Sequence, residues 1–205
     1  AFTTSLAINP AGAVDHDWIH EQCNPDQRAT LYAKAAAAHR ARADAKPALA
    51  AELDWYHAYA LYEQRKFKAA YDLFEGVVEA NPAYLNSRCF AMLAAYWTGD
   101  KARAEEQAAR YAKAASTHFA DTIRNHESKA EIIPILEFLA RRAADGKRLE
   151  HSRGIALVLA KLLETERHWN NYAFLSREIG DYEASIAGYE TALSLAPDSP
   201  QLLND

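Results

Sequence analysis

Short turns between helices recur in this chain at a fixed spacing, and that spacing limits its fold more than any other feature. Arg65 and Gly99 stand 34 residues apart, and so do Gly146 and Gly180. Around these turns, apolar residues return at the intervals of amphipathic helices. The stretches are "AELDWYHAYALYEQRKFKAAYDLFEGVVEANPAY", "LNSRCFAMLAAYWTGDKARAEEQAARYAKAA" and "RHWNNYAFLSREIGDYEASIAGYETALSLAPDS". Each reads as two helices joined by a short turn. A fourth, degenerate hairpin turns at "DGK" around Gly146. A hairpin of this size cannot bury its apolar face alone, so successive hairpins must stack. Gly99 and Gly146 are 47 residues apart, and the surplus falls in "STHFADTIRNHESKA", as a loop or a lengthened helix.

Composition supports helix throughout. Alanine makes up about a fifth of the 205 residues, while glycine and proline number seven each, a balance that favours helix over sheet. The expected class is all-α. A net charge of −5, with lysines and arginines interleaved among acids, supplies no continuous basic field for a phosphate backbone, so nucleic acid is not an expected partner. No apolar run reaches the roughly 18–20 residues needed to cross a bilayer; "GIALVLAKLL" from Gly154 reads as a buried helix. Cys23 and Cys89 are too few for a disulfide framework and leave their pairing open. The chain starts at Ala1, and a soluble protein of the cytoplasm or an exported, periplasmic one fits equally.

A 34-residue helix–turn–helix unit resembles the tetratricopeptide repeat (TPR). The C-terminal unit carries the resemblance through Trp169, Ala173, Gly180, Asp181, Tyr182, Tyr189, Ala192 and Pro197. An earlier unit shows Ala58, Phe67, Ala70, Phe74 and Pro82, and the next keeps Gly99, Asp100 and Ala104. The resemblance implies a right-handed superhelical array of antiparallel helix hairpins, a TPR-like solenoid. The organisation expected is an N-terminal arm and helical cap over 1–45, with Pro10 and Gly12 in the arm, and two hairpins over 46–115. An insert over 116–130 follows. Residues 131–205 then hold the degenerate hairpin, the well-matched repeat and the start of a further helix at Pro200, Leu202 and Leu203. That unfinished helix suggests a longer polypeptide, or another subunit covering this end.

The resemblance also implies a task. First helices of such hairpins line a concave surface that holds a peptide or a partner's helix. Carried over position by position, this surface takes Trp55, Tyr59, Tyr62, Tyr96 and Trp97 from the earlier units, with Cys89 and Leu93. The last unit adds Asn170, Phe174 and Arg177, with Asn171 beside them. Some of these rings are expected to pack between hairpins instead. The family's two-carboxylate clamp for chaperone C-termini is not matched, because Trp55, Tyr59 and Phe90 stand where it needs polar residues. The expected function is therefore a protein-interaction scaffold. The alternatives are a regulatory or targeting segment of a larger enzyme, and a structural subunit that self-associates through its C-terminal end.

Other chemistry is thinly represented. "DHDWIHEQC" spaces His16, His20 and Cys23 along one face of a short helix, a pattern compatible with a metal, with Asp15 or Asp17 as a further ligand. The plain alternative is a capping aspartate followed by ordinary histidines and a buried cysteine. No nucleophile elbow, phosphate-cradling glycine loop or paired-cysteine signature occurs, so neither catalysis nor a cofactor is expected.

Overall fold

The computed structural model describes residue 3, residues 16–82 and residues 84–199. Between positions 16 and 199 it contains ten α-helices, with no strand among the described residues. The arm at Pro10 and Gly12, and the further helix expected at Pro200, Leu202 and Leu203, lie outside the described residues. Among those described, no helix is long and apolar enough to cross a membrane. The chain divides into two compact units, Ala1–Asp100 and Lys101–Asp205.

The first unit holds α1 (His16–Gln22), α2 (Pro25–Arg40), α3 (Pro47–Glu63), α4 (Phe67–Ala80) and α5 (Asn86–Trp97). Asn24 and Gln27 start α2 with a reciprocal cap: each side chain accepts from the other's backbone N–H at 3.0 Å. This satisfies donors that a helix start leaves without partners. Pro25 and Pro47 sit in first turns, where a missing N–H costs nothing. Helix α2 packs on α3, α3 on α4, and α4 on α5. The contacts are close because Ala35, Ala36, Ala50, Ala51, Ala58 and Ala70 are buried, and side chains this small bring helix axes together. Leu53 and Phe74 are fully sealed, and each contributes about 2 kcal/mol by leaving water.

The second unit holds α6 (Lys101–Arg124), α7 (Lys129–Asp145), α8 (Leu149–Leu163), α9 (Glu166–Glu178) and α10 (Tyr182–Leu195). The surplus residues after Ala115 are helical: α6 continues to Arg124 across one extended residue, Ala115 (φ −164°, ψ 66°). The break brings Tyr111 and Phe119 into a stack 4.1 Å apart, and Tyr111 Oη to 2.6 Å from His118 Nδ1. The far segment is tied to α8, since Lys161 Nζ donates to Ser116 Oγ (3.1 Å) and Thr117 Oγ1 (2.7 Å) while Arg124 donates to the Lys161 carbonyl (2.7 Å). Beyond it, Ala156, Ala160 and Tyr172 form a core with Leu157, Trp169, Leu175 and Ala184, joining α8 to α9 and α10.

Every first helix of a hairpin ends the same way. Arg65, Gly99, Lys147 and Gly180 follow α3, α5, α7 and α9, and all four have φ between 60° and 89°. After α3, α7 and α9, the next N–H reaches five residues back, as in Lys66 to Leu61, Arg148 to Ala143 and Asp181 to Ser176, each at 2.9 or 3.0 Å. That is a Schellman turn, which satisfies the last carbonyls of the helix. The sequence places the third turn's glycine at Gly146, but the left-handed residue is Lys147, and Gly146 (φ −80°) only caps α7. The spacing from Lys147 to Gly180 is accordingly 33 residues rather than 34.

One buried carboxylate joins three helices of the second unit. Glu105 on α6 is 1% exposed. Arg148, leading into α8, grips it with both edges of its guanidinium, Nε at 2.6 Å and Nη2 at 2.8 Å. Arg142 of α7 donates to the same carboxylate, and His151 Nδ1 of α8 lies 3.1 Å away. Burial pushes the Glu105 carboxyl upward, but the hydrogen bonds from Arg148, His151 and Arg142 outweigh it and bring the group from an ordinary 4.5 to about 2.

Two outcomes follow from this geometry. A left-handed lysine costs about 1 kcal/mol relative to glycine, so Lys147→Gly stabilises the protein by that order, read as a higher urea midpoint at unchanged slope. Because the folded-state value of Glu105 is depressed, its contribution is complete above the ordinary 4.5 and is lost as pH falls toward about 2. Glu105→Gln therefore costs about 2 kcal/mol at neutral pH, and its unfolding free energy falls less steeply through that acid window than the wild type's. Parallel pH profiles would show that the carboxylate contributes nothing.

Candidate functional site

Rings of the first unit form a continuous ladder. Trp55 stacks on Tyr59 at 5.5 Å and 2°, and both meet Phe90 edge-on. Tyr62 meets Phe90 and Phe67 edge-on, Phe67 faces Trp97 at 6.3 Å, and Tyr96 stands edge-on to Trp97 at 5.3 Å. These offset and edge-on arrangements are the attractive ones for aromatic quadrupoles. Trp55, Tyr59, Tyr62 and Tyr96 are half-buried, and Trp97 ends the ladder 46% exposed. Cys89 and Leu93 do not belong to an open surface. Both are buried, because α5 is covered over most of its circumference.

In the second unit the first helices α7 and α9 flank a groove of about 260 Å³, floored by Ser152, Ala156 and Leu159 of α8. Phe174 lines it at 44% exposure, and the Arg177 guanidinium lies 5.2 Å from its ring centre. Asn171 lines the groove too, whereas Asn170 is only 7% exposed. The expectation that Asn170 meets a partner at the surface is thus corrected: its face of α9 turns inward, and its neighbour presents the amide. His168 links the walls, accepting or donating at Thr165 Oγ1 (2.7 Å) and lying 3.5 Å from Glu137 of α7.

Two lining residues escaped the sequence reading. Arg141 of α7 and Arg167 of α9 reach the groove and have no hydrogen bond or ion pair among the described residues. Arg167 carries no signal, because Glu164 stands three residues before it in sequence. Arg141 carries none either, because Glu137 and Asp145 both lie at helical pairing distance in sequence.

The metal candidate on α1 resolves into packing. His16 Nδ1 shares a hydrogen bond with Tyr32 Oη at 2.9 Å, and its ring lies flat on Tyr56 at 3.9 Å and 6°. His20 Nδ1 contacts the Arg28 guanidinium, a cation where a ligand set would need an anion. Cys23 packs against the core of Ile19, Tyr32 and Leu53. Among the described residues no three His, Cys, Asp or Glu side chains gather to hold an ion; Asp15 lies outside them.

No family model matches the chain, and no curated protein matches it in sequence. Solved structures do. It is similar to YrrB, described as a TPR protein with an unusual peptide-binding site, at 12% identity and a TM-score of 0.52 over 100% of this chain and 96% of that one. It is also similar to a double mutant of MamA, "MamA RS-1 ArsTM", at 11% identity and a TM-score of 0.51 over 98% of each. The fold is therefore all-α and of the tetratricopeptide-repeat type. Positions that carry the sequence resemblance supply its core, since Ala58, Ala70, Phe74, Ala104, Ala173 and Ala192 are all buried.

The two cysteines are free. Cys89 is fully buried and its thiol is pushed up to about 12 by desolvation, whereas Cys23 is half-buried. The thiolate is the reactive form. A thiol-specific reagent at neutral pH should titrate Cys23 in the native protein and Cys89 only after denaturant is added. Prompt reaction of both would contradict the sealed position of α5.

Proposed function

We propose that the chain is a non-catalytic protein-interaction scaffold, and that the groove between α7 and α9 holds a peptide segment or partner helix. The observation that carries this reading is Phe174, a large exposed ring beside a largely apolar floor, with Arg141 and Arg167, which have no ion pair among the described residues, and the Asn171 amide around it. Aromatic and arginine side chains of this kind dominate the energetics of protein interfaces. An amide offers both a donor and an acceptor to a peptide backbone. The likeness to YrrB, a TPR protein whose own description includes a peptide-binding site, supports the same reading. In the first unit, Trp97 with Tyr96 is the corresponding contact surface, and Trp55, Tyr59 and Tyr62 support it through the ladder.

A library of displayed random peptides selected on the wild-type protein tests this. Phe174→Ala should weaken the selected peptides by at least about tenfold with helicity unchanged by circular dichroism. Peptides that bind wild type and variant alike would remove the groove from consideration.

A second reading, self-association, is favoured by α10. Tyr182 and Ile186, one turn apart, are 66% and 59% exposed, an apolar pair that a second copy could cover. It predicts dimers that grow with concentration in sedimentation velocity, and a monomer at all concentrations would exclude it.

A further inference from the structure

Helix α8 has two working faces. Ser152, Ala156 and Leu159 floor the groove, while His151, Gly154 and Leu157 point the other way, as a 3.6-residue period requires. On that second side, α8 and the broken α6 line a cavity of about 1150 Å³, to which Tyr172 also contributes. Its charged lining is Arg110 and Lys113 from α6 with Arg153 and Glu150 from α8, and His118 and His151 stand beside them. Arg153 is taken up by Asp181 (2.9 Å) and Glu150 (3.4 Å) and His151 lies on Glu105 (3.1 Å), so the cations left to a ligand are Arg110 and Lys113. The chain as a whole carries −5.

These groups differ in what they have left to offer. Lys113 has no hydrogen bond or ion pair among the described residues. Arg110 is held only by Glu106 of its own helix at 2.6 Å, an exposed pair of the kind that is readily exchanged. Ser116 and Thr117 accept from Lys161, so both hydroxyl hydrogens remain free to donate. Between them the wall is apolar, made by Ala112, Leu157 and the Tyr172 ring.

We infer that this cavity is a second docking site, taking an acidic segment of a partner protein. Carboxylates of the segment meet Lys113, Arg110 and the two hydroxyls, and an aliphatic or aromatic side chain rests on Leu157 and Tyr172. These donors are strung along α6 instead of converging on one point, which suits several spaced carboxylates better than one compact anion. The volume is also more than the roughly 300–1,000 Å³ that encloses a small organic ligand. A nucleic acid needs a denser and longer basic field than three permanent cations in an acidic chain provide.

The test uses a short fluorescein-labelled peptide of alternating glutamate and leucine, its glutamine counterpart, and inorganic tripolyphosphate as competitor. Anisotropy titrations are run on the wild type, on the double variant Arg110→Glu with Lys113→Glu, and on Phe174→Ala. Both substituted cations are exposed, so the fold stands; Lys113→Gln alone serves as a milder second variant. The glutamate peptide should bind, the glutamine peptide should not, and added salt should weaken binding. Charge reversal should cost at least about tenfold, Lys113→Gln a smaller share, and Phe174→Ala nothing. The inference is overturned if charge reversal has no effect, if both peptides bind equally, or if no binding occurs at concentrations on the order of millimolar. It is also overturned if tripolyphosphate binds more tightly and displaces the peptide, which would make this a small-polyanion site. Loss of binding in Phe174→Ala would move the acidic segment to the groove, and so separates failure here from failure of the α7–α9 reading.

Discussion

The second unit depends on the burial of Glu105. A carboxylate out of water is tolerated only when its lone pairs are filled, and here Arg148, Arg142 and His151 fill them from two other helices. The demand is geometric. Arg148 must stand at the α7–α8 turn, Arg142 in the last turn of α7 and His151 in the first of α8, so α6, α7 and α8 are fixed in register around one point. A hydrophobic residue at the same place would bury comfortably but would tolerate sliding. Both recesses of this unit are bounded by those helices, and their shapes inherit that register.

The first unit is organised by different physics. Its aromatic rings have large apolar area and weak directionality, so they pack wherever neighbouring helices leave room. Small alanines close the distance on one side of each helix, and the rings fill the wider side. A ring half-covered in this way can serve stability and contact at once. At Trp97, where the ladder runs out, the ring is exposed.

Legibility in the sequence followed how local each determinant is. Turns at Gly99 and Gly180 announce themselves, since glycine is the cheapest residue at positive φ. The third turn is shifted by one because Lys147 adopts the same conformation at a cost that Arg148's bonds to Glu105 offset, and no local rule separates it from Gly146. The helical course of residues 116–124 depends on Tyr111 stacking on Phe119 and on Lys161 reaching back from α8, contacts that no window of neighbouring residues contains. Asn170 and Asn171 look alike in sequence; one is buried and one lines the groove, a matter of which way α9 is rolled. Arg141 is the same case in electrostatic form. The pairing rule assigns it Glu137, yet Glu137 faces His168 on α9, so a tertiary neighbour decides which arginine is left without an acid.

The pairing of Glu137 with His168 shows how contacts between helices set surface charge. A helix-surface arginine with an acid in its own helix is already neutralised, and one without keeps its charge available. The second unit turns arginines of both kinds toward its recesses, and the difference is set by contacts between helices, not by composition. Gly154 on α8 lies close to α6, with the Ala112 Cβ 3.4 Å from where a Cβ would stand. A single helix can then present its small-residue face to one recess and its charged face to another, because 3.6 residues per turn separate the two by half a circumference. Under this arrangement two partners on α8 would not compete for the same side chains, and the rigidity of the Glu105 cluster would keep occupancy of one face from distorting the other.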